Sequence, residues 1–331
     1  MRVRPAYDWP PEQARLRRRA IRLEWITLAA MSTVIAAMYF AMGSSQAMRT
    51  AWIEDMLGFV PAIAFLIAAR IERKPPNAAF PHGHYRAVSI AYLVGATAVL
   101  GVGLFLLFDN ATTLLAAEHP TIGAMEVFGH DLWQGWVMIA ALVYSAIPPV
   151  ILGRLKQPVA RDLHDKVLVA DAAMQKADWS TALAAVVGIV GVAYGLWWAD
   201  AAAALLIALD VTHDGARHVA RATKDLADRS PTTVQRDRPH PAIEAAREAA
   251  FSVPWVADAE VELREEGHLI TGTLYVVPHG GPPPLERLEE LRRRIDRAHW
   301  QLYEVVIAPV PEGGLEQSHV PEPQGRRSPS R

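Results

Sequence analysis

The feature that most constrains this chain is a series of predominantly apolar runs, each close to the length of a helix that crosses a lipid bilayer. The first, at 25–43, is uncharged and too long for the core of a signal peptide. Five more follow at 52–71, 88–108, 135–153, 167–198 and 199–213. A helix needs about 20 apolar residues to cross a hydrocarbon core. The sequence therefore predicts an all-α bundle of six transmembrane helices over residues 25–225.

Lys and Arg residues lie beside alternate ends of these runs, which is the pattern that sets membrane orientation. They cluster before the first run, between the second and third, and between the fourth and fifth, where Arg154 and Lys156 are found. Residues 109–134, by contrast, contain neither Lys nor Arg. We therefore expect six spans in the plasma (inner) membrane, with both termini cytoplasmic and a basic N-terminal segment, 1–24, facing anionic lipid.

Several classes of protein are excluded by composition and by missing motifs. The chain has no Cys, so it offers neither a disulfide framework nor a thiolate metal site. Its net charge of -2 gives no reason to expect nucleic acid as a partner. It contains neither a glycine-rich phosphate loop nor a hydrolase nucleophile elbow, so we do not expect an enzyme. A large soluble helical protein would have to bury several such apolar runs, which is uncommon.

A second domain follows the last apolar run, after the polar, proline-bearing boundary at 225–241. Its pattern predicts a helix at 241–252, strands at 256–264 and 268–277, a helix at 284–299 and a strand at 302–309. The order αββαβ predicts an α+β domain over 226–310, a three-stranded sheet with both helices on one face. The tail at 311–331, rich in Pro, Gly, Glu and Ser, is predicted to be disordered.

The apolar runs also carry acids, and a charge at membrane depth is costly unless it is paired, hydrated or bound to metal. Glu54 and Asp55 lie in the second run, while Asp171 and Asp178 share one helical face of the fifth with Met174. Mainly oxygen ligands suit a hard or borderline divalent cation. Competing interpretations place Glu54 and Asp55 in headgroup water, make Met174 a packing residue, or let a lysine neutralise one aspartate.

Three stretches resemble the cation diffusion facilitator family. They are RIERKPPNAAFPHGHYRA after the second run, ADAAMQKADW in the fifth, and LADRSP at the end of the sixth. The resemblance covers about residues 25–310. It implies six spans with cytoplasmic ends, a four-residue metal site built from spans two and five, and a ferredoxin-like cytoplasmic domain that forms a homodimer.

The sequence departs from the family pattern at two of the four metal ligands. Asp178 matches the span-five aspartate, but Met174 stands where the family usually has histidine. Glu54 matches the first span-two ligand, but Gly58 replaces the second, normally aspartate. Asp55, Asp171 or water could complete the shell.

Without imidazole the site loses the ligand that most favours zinc, so Mn, Mg and Fe become as plausible as Zn or Co. A peripheral metal position is also implied in the loop after span two, where His84 matches the family and His82 lies beside it. Phe80 replaces another usual histidine there.

Two functions follow from this pattern. The first is proton-coupled efflux of a divalent cation from the cytoplasm, because carboxylates that alternate between metal and protons couple the two fluxes. The second, suggested by Gly58 and Met174, is a membrane protein of the same fold that binds or regulates without transporting.

Overall fold

A computed structural model describes residues 5–116, 123–127 and 130–315. Within these ranges the side chains at 124–127, 130–132, 170, 173–174 and 176–178 are not described. The chain forms two compact units that divide between Asp228 and Arg229.

The first unit is a helical bundle with one small hairpin. Its helices are α1 (Pro11–Ala41), α2 (Gln46–Leu57), α3 (Phe59–Ile71), α4 (Ala87–Leu115), α5 (Gln134–Asp162), α6 (Lys166–Ala193) and α7 (Ala199–Leu226). Strands β1 (Ala124–Val127) and β2 (His130–Trp133) pair antiparallel between α4 and α5. This hairpin was not predicted from the sequence.

Four segments of the described chain are long and apolar enough to cross a membrane: α1, α2 together with α3, α4, and α5. In α6 the apolar part, Trp179–Ala193, is shorter. Helix α7 does not meet the same test, and it carries Asp200, Asp210 and Asp214 among its first 16 residues. Both helices nevertheless pack into the bundle, since α6 contacts α5 and α7 contacts α4.

The helices are longer than the apolar runs that predicted them. Helix α1 begins at Pro11 rather than at 25, and α7 continues to Leu226 rather than stopping at 213. Helix α5 runs to Asp162, so Arg154 and Lys156, which follow the fourth apolar run, lie within a helix. The apolar run marks only the part of a helix suited to lipid, whereas backbone hydrogen bonds and packing on one face continue the helix beyond it.

Helices α4 and α7 approach each other closely through small residues. A Cβ at Gly103 would lie 2.9 Å from the backbone nitrogen of Thr212, and one at Gly215 would lie 2.7 Å from Cα of Leu100. Small residues allow helix backbones to approach in membranes, where no hydrophobic force drives helices together. The two glycines therefore set the position of α7 against α4.

We expect Gly215→Val to lower the free energy of unfolding by about 3 kcal/mol, because the added side chain meets backbone atoms that cannot rotate away. SDS titration of the purified protein, followed by tryptophan fluorescence, measures this. Gly101→Val is the matched control, since a Cβ at Gly101 meets nothing within 4 Å. Equal losses in the two variants would contradict the close-approach interpretation.

Ion pairs connect helix ends at one end of the bundle. Arg17 of α1 donates to Glu72 Oε2 at 2.8 Å and to the Ala69 carbonyl at 2.9 Å, joining the start of α1 to the end of α3. Arg86 donates to Asp228 Oδ1 at 2.5 Å, joining the start of α4 to the end of α7. Alternate helix termini therefore meet at this end, as an up-and-down bundle requires.

The second unit consists of α8 (Pro241–Phe251), β3 (Val256–Glu266), β4 (Leu269–Pro278), α9 (Leu285–Ala298) and β5 (Val306–Pro309). Its sheet has the order β3-β4-β5, with β3 and β4 antiparallel and β4 and β5 parallel. Both helices contact each other and contribute to a common core with the sheet. The predicted αββαβ order is confirmed, and Leu263, Leu269 and Leu274 are buried.

Candidate metal centre

The start of α2 is fixed by Asp200, the second residue of α7. Asp200 is fully buried, and its carboxylate accepts hydrogen bonds from the Ser45 hydroxyl at 2.6 Å and the Gln46 N–H at 2.5 Å. The first turn of a helix leaves such N–H groups without intrahelical acceptors. Asp200 therefore joins α2 to α7 at the end of the bundle opposite Arg17 and Arg86.

The two acids of α2 lie in its last turn. The N–H of Gly58 donates to the carbonyl of Glu54 at 3.1 Å, and α3 begins at the next residue. Glu54 and Asp55 are therefore the ninth and tenth residues of a continuous 26-residue apolar segment, Gln46–Ile71.

These acids line a partly open cavity of about 50 Å³ between α1, α2, α3, α4, α6 and α7. Its polar lining comes from three helices: Glu54 and Asp55 of α2, Asp171, Gln175 and Thr181 of α6, and Asp210 and Asp214 of α7. The remaining wall is mainly apolar and includes Met31, Leu57, Pro61, Val99 and Val211. Gly58 also borders the cavity, so the position of the replaced family ligand faces the same space.

Three of the five predicted central ligands, Glu54, Asp55 and Asp171, therefore surround one cavity. The other two, Met174 and Asp178, lie outside the described side chains, although α6 carries both. Among the residues that the structure describes, no three His, Asp or Glu side chains are close enough together to hold one metal ion. A cation bound by the described acids alone would thus keep water in its coordination shell.

Asp171 belongs to a buried group of charges that joins three helices. Lys156 of α5 donates from Nζ to Asp171 Oδ2 at 2.6 Å and to Glu24 Oε2 of α1 at 2.9 Å. Lys156 and Glu24 are fully buried, and Asp171 is 3% exposed. One ammonium thus bridges two carboxylates of different helices, and Asp171 borders both this group and the cavity.

Lys156 takes the role that the sequence assigned to another lysine. The competing interpretation let Lys176 neutralise an aspartate of the same helix, but the side chain at 176 is not described. Lys156 reaches Asp171 from α5 instead. Glu24 and Lys156 were missed because each stands in a basic or terminal stretch of sequence that predicts membrane orientation rather than a buried pair.

Asp210 and Asp214 were also missed. The predicted sixth run, 199–213, contained Asp210 but ended before Asp214. The available signal was their spacing, because residues four apart lie on one face of a helix.

The histidines of the loop after α3 show a different environment. His82 is exposed, while the His84 ring lies 4.4 Å from the Phe80 ring, centroid to centroid, at an angle of 39°. Phe80, which stands where the family usually has a histidine, therefore packs against His84. Metal binding by His82 and His84 stays a prediction.

A helical bundle with candidate spans and a cavity lined by acids defines a membrane protein of the kind that handles cations. The sequence of this bundle matches the cation efflux transmembrane domain over residues 25–227, more than half of the chain. The chain therefore belongs to the cation efflux family, whose members are transporters rather than enzymes.

Similar curated proteins include transporters from several bacteria. The chain is 26% identical to manganese efflux system protein MneS of Bacillus subtilis over 185 residues, covering 56% of this chain and 58% of the relative. It is 25% identical to cation-efflux pump FieF of Shewanella oneidensis over 195 residues, covering 56% and 61%. It is 26% identical to putative transporter MamV of Paramagnetospirillum magneticum over 208 residues, covering 62% and 58%. The matches thus span about three-fifths of each relative.

Proposed function

We propose that this protein exports a divalent metal cation from the cytoplasm in exchange for protons, through the cavity between α2, α6 and α7. The observation that carries the proposal is that Glu54, Asp55 and Asp171 line one cavity inside a bundle of the cation efflux family. Acids at membrane depth commonly mark the path of a transported ion. The same groups must lose protons before they bind metal, which couples the two ions.

The proposed topology has six spans: α1, α2 with α3, α4, α5, α6 and α7. Packing of α6 and α7 against the four apolar segments supports this count. The basic end, which holds the Arg17–Glu72 and Arg86–Asp228 ion pairs, faces the cytoplasm in this topology, as the positive-inside rule requires. The second unit, proposed as ferredoxin-like, would then be cytoplasmic and form the homodimer.

Manganese is the cation that we favour. The described polar groups of the cavity offer oxygen ligands and no imidazole, which suits Mn²⁺ or Mg²⁺ better than Zn²⁺. MneS, which is 26% identical to this chain over 185 residues, is a manganese efflux system protein. Asp178 and Met174 of α6 would complete the site from the position that the family resemblance assigns to them.

The test is metal uptake into sealed vesicles that contain the purified protein, with a pH gradient across the membrane. We expect Mn²⁺ to move in a gradient-dependent manner and to be followed by a proton flux in the opposite direction. Asp178→Ala should abolish both fluxes. Asp162→Ala is a suitable control, because Asp162 is exposed at the end of α5 and lies off the cavity.

The second candidate is a non-transporting member of the same family, favoured by Gly58 and by Met174 at usual ligand positions. It predicts that the wild-type protein moves no Mn, Fe, Zn, Co or Mg under any gradient. That result, obtained with folded protein in sealed vesicles, would overturn the proposal of transport.

A further inference from the structure

Helix α7 presents two carboxylates to the cavity that the family resemblance does not account for, since that resemblance places ligands on spans two and five. Asp210 and Asp214 are four residues apart and therefore share a face of α7. Both line the same cavity as Glu54 and Asp171. Asp210 is exposed in the isolated chain, and Asp214 is half-buried.

The position of Asp210 along α7 makes its exposure informative. Asp210 lies 11 residues after the start of α7 at Ala199, roughly 16 Å along the helix axis. In the proposed topology that depth is near the middle of the bilayer, where a carboxylate facing lipid would be very costly. Asp210 must therefore face water or an ion, and the adjoining cavity provides room for both.

A second, independent observation points into the same cavity. Gln175 of α6 is 4% exposed, and its Nε2 donates to Asp171 Oδ1 at 3.3 Å. Its Oε1 is buried and accepts no hydrogen bond from any residue that the structure describes. A buried carbonyl oxygen without a donor is unfavourable by about 1–3 kcal/mol. A cation, or water bound to one, would satisfy it.

We infer that Asp210, Asp214 and the amide oxygen of Gln175 form a third wall of the cation site and bind a partly hydrated divalent cation. The inference rests on the proposed function and deepens it, because it assigns ligands from α7 where Gly58 removes one from the α2–α3 segment. Water in the shell fits the wide spacing of the described acids, and Mn²⁺ and Mg²⁺ both accept water ligands readily.

Asp210 and Asp214 differ in their basic neighbours, and His213 is the one beside Asp210. Arg217 Nη1 lies 3.7 Å from Asp214 Oδ1, one turn further along α7, so Asp214 already has a cationic neighbour. Arg217 is itself more than half exposed and can release Asp214 when a divalent ion arrives.

The first test measures water access and does not depend on transport. Because the chain contains no Cys, a single introduced thiol reports on one position alone. We expect Asp210→Cys and Asp214→Cys to react with a charged, water-soluble thiol reagent in vesicles. Leu209→Cys, next to Asp210 in sequence but about 100° away around the helix and 50% exposed in the isolated chain, should not react because it faces lipid. Labelling of Leu209→Cys but not Asp210→Cys would overturn the inference.

The second test measures equilibrium binding of Mn²⁺ by electron paramagnetic resonance, beside vesicle transport of the same samples. The double variant Asp210→Asn, Asp214→Asn should bind Mn²⁺ at least 10-fold more weakly than wild type, with an unchanged thermal transition. Asp225→Asn, on the same helix but off the cavity, should bind normally. Asp210→Glu should recover part of the affinity lost in Asp210→Asn.

Failure of the inference and failure of the proposed function give different results. If the wild type transports Mn²⁺ and the double variant binds and transports it equally well, the inference is wrong and the proposed function stands. If the wild type transports nothing, the proposed function fails. Binding then decides the inference: weaker Mn²⁺ binding by the double variant supports the α7 wall, and equal binding overturns it.

Discussion

We expect the substitution Lys156→Met to lower the free energy of unfolding by about 3–5 kcal/mol, among the largest effects of any single change in the bundle. Methionine has a similar length and apolar stem, so little packing is lost. The cost arises because Glu24 and Asp171 lose the one ammonium that lies 2.9 Å and 2.6 Å from their oxygens. Both carboxylates would then be buried without a cationic partner. SDS titration followed by the fluorescence of the ten tryptophans measures the change.

The control removes the whole group of charges. Replacing Glu24, Lys156 and Asp171 together by apolar residues of similar volume should recover most of the stability, because a complete buried ion network is often no more stable than well-packed apolar side chains. Lys166→Met tests a lysine at the start of α6 for comparison. Lys156→Met as stable as wild type would show that the ion pairs contribute nothing net.

The second unit was predictable from local signals. The alternation at 256–277 places Leu263 and Leu274 on the inner face, and Pro282–Pro284 precede α9 where a helix start was expected. Each strand and helix there is specified by its own residues and its own turns. The parallel pairing of β4 with β5 is different, since it depends on which sheet edge the last strand reaches, and no local pattern specifies that edge.

The membrane unit was less predictable where a contact joins side chains that are far apart in sequence. Lys156 lies 132 residues from Glu24 in sequence, and nothing local distinguishes a buried lysine from one in a basic loop. The predicted sixth run also ended at 213, although α7 continues to Leu226 and carries Asp214. Ala204, Ile207, Ala208 and Val211 of this helix are buried, and Asp210 and Asp214 border the cavity.

The central acids were predicted as a set but not in their roles. Local spacing placed Asp171 on one face of its helix, and Glu54 and Asp55 were singled out as acids within an apolar run. The structure brings these three around one cavity. It also shows Asp171 paired with Lys156, which the sequence of α6 alone could not indicate, because the partner comes from α5.

We expect Asp171→Asn to separate the two roles of this residue. Lys156 and Glu24 remain as a balanced pair, so the loss of one charged hydrogen bond should lower the free energy of unfolding by only about 1.5–3 kcal/mol, less than Lys156→Met. Transport of Mn²⁺ into vesicles should nevertheless fall roughly 100-fold, since even residues that merely support a metal ligand cost 10–100-fold when changed. Asp162→Asn, at the exposed end of α5, should leave both quantities unchanged.

If Asp171→Asn transports like wild type, then Asp171 only holds α6 to α5 and α1, and the cation ligands are Glu54, Asp55 and the acids of α7. If it loses transport and unfolds as readily as Lys156→Met, the ion pair rather than metal binding explains the defect.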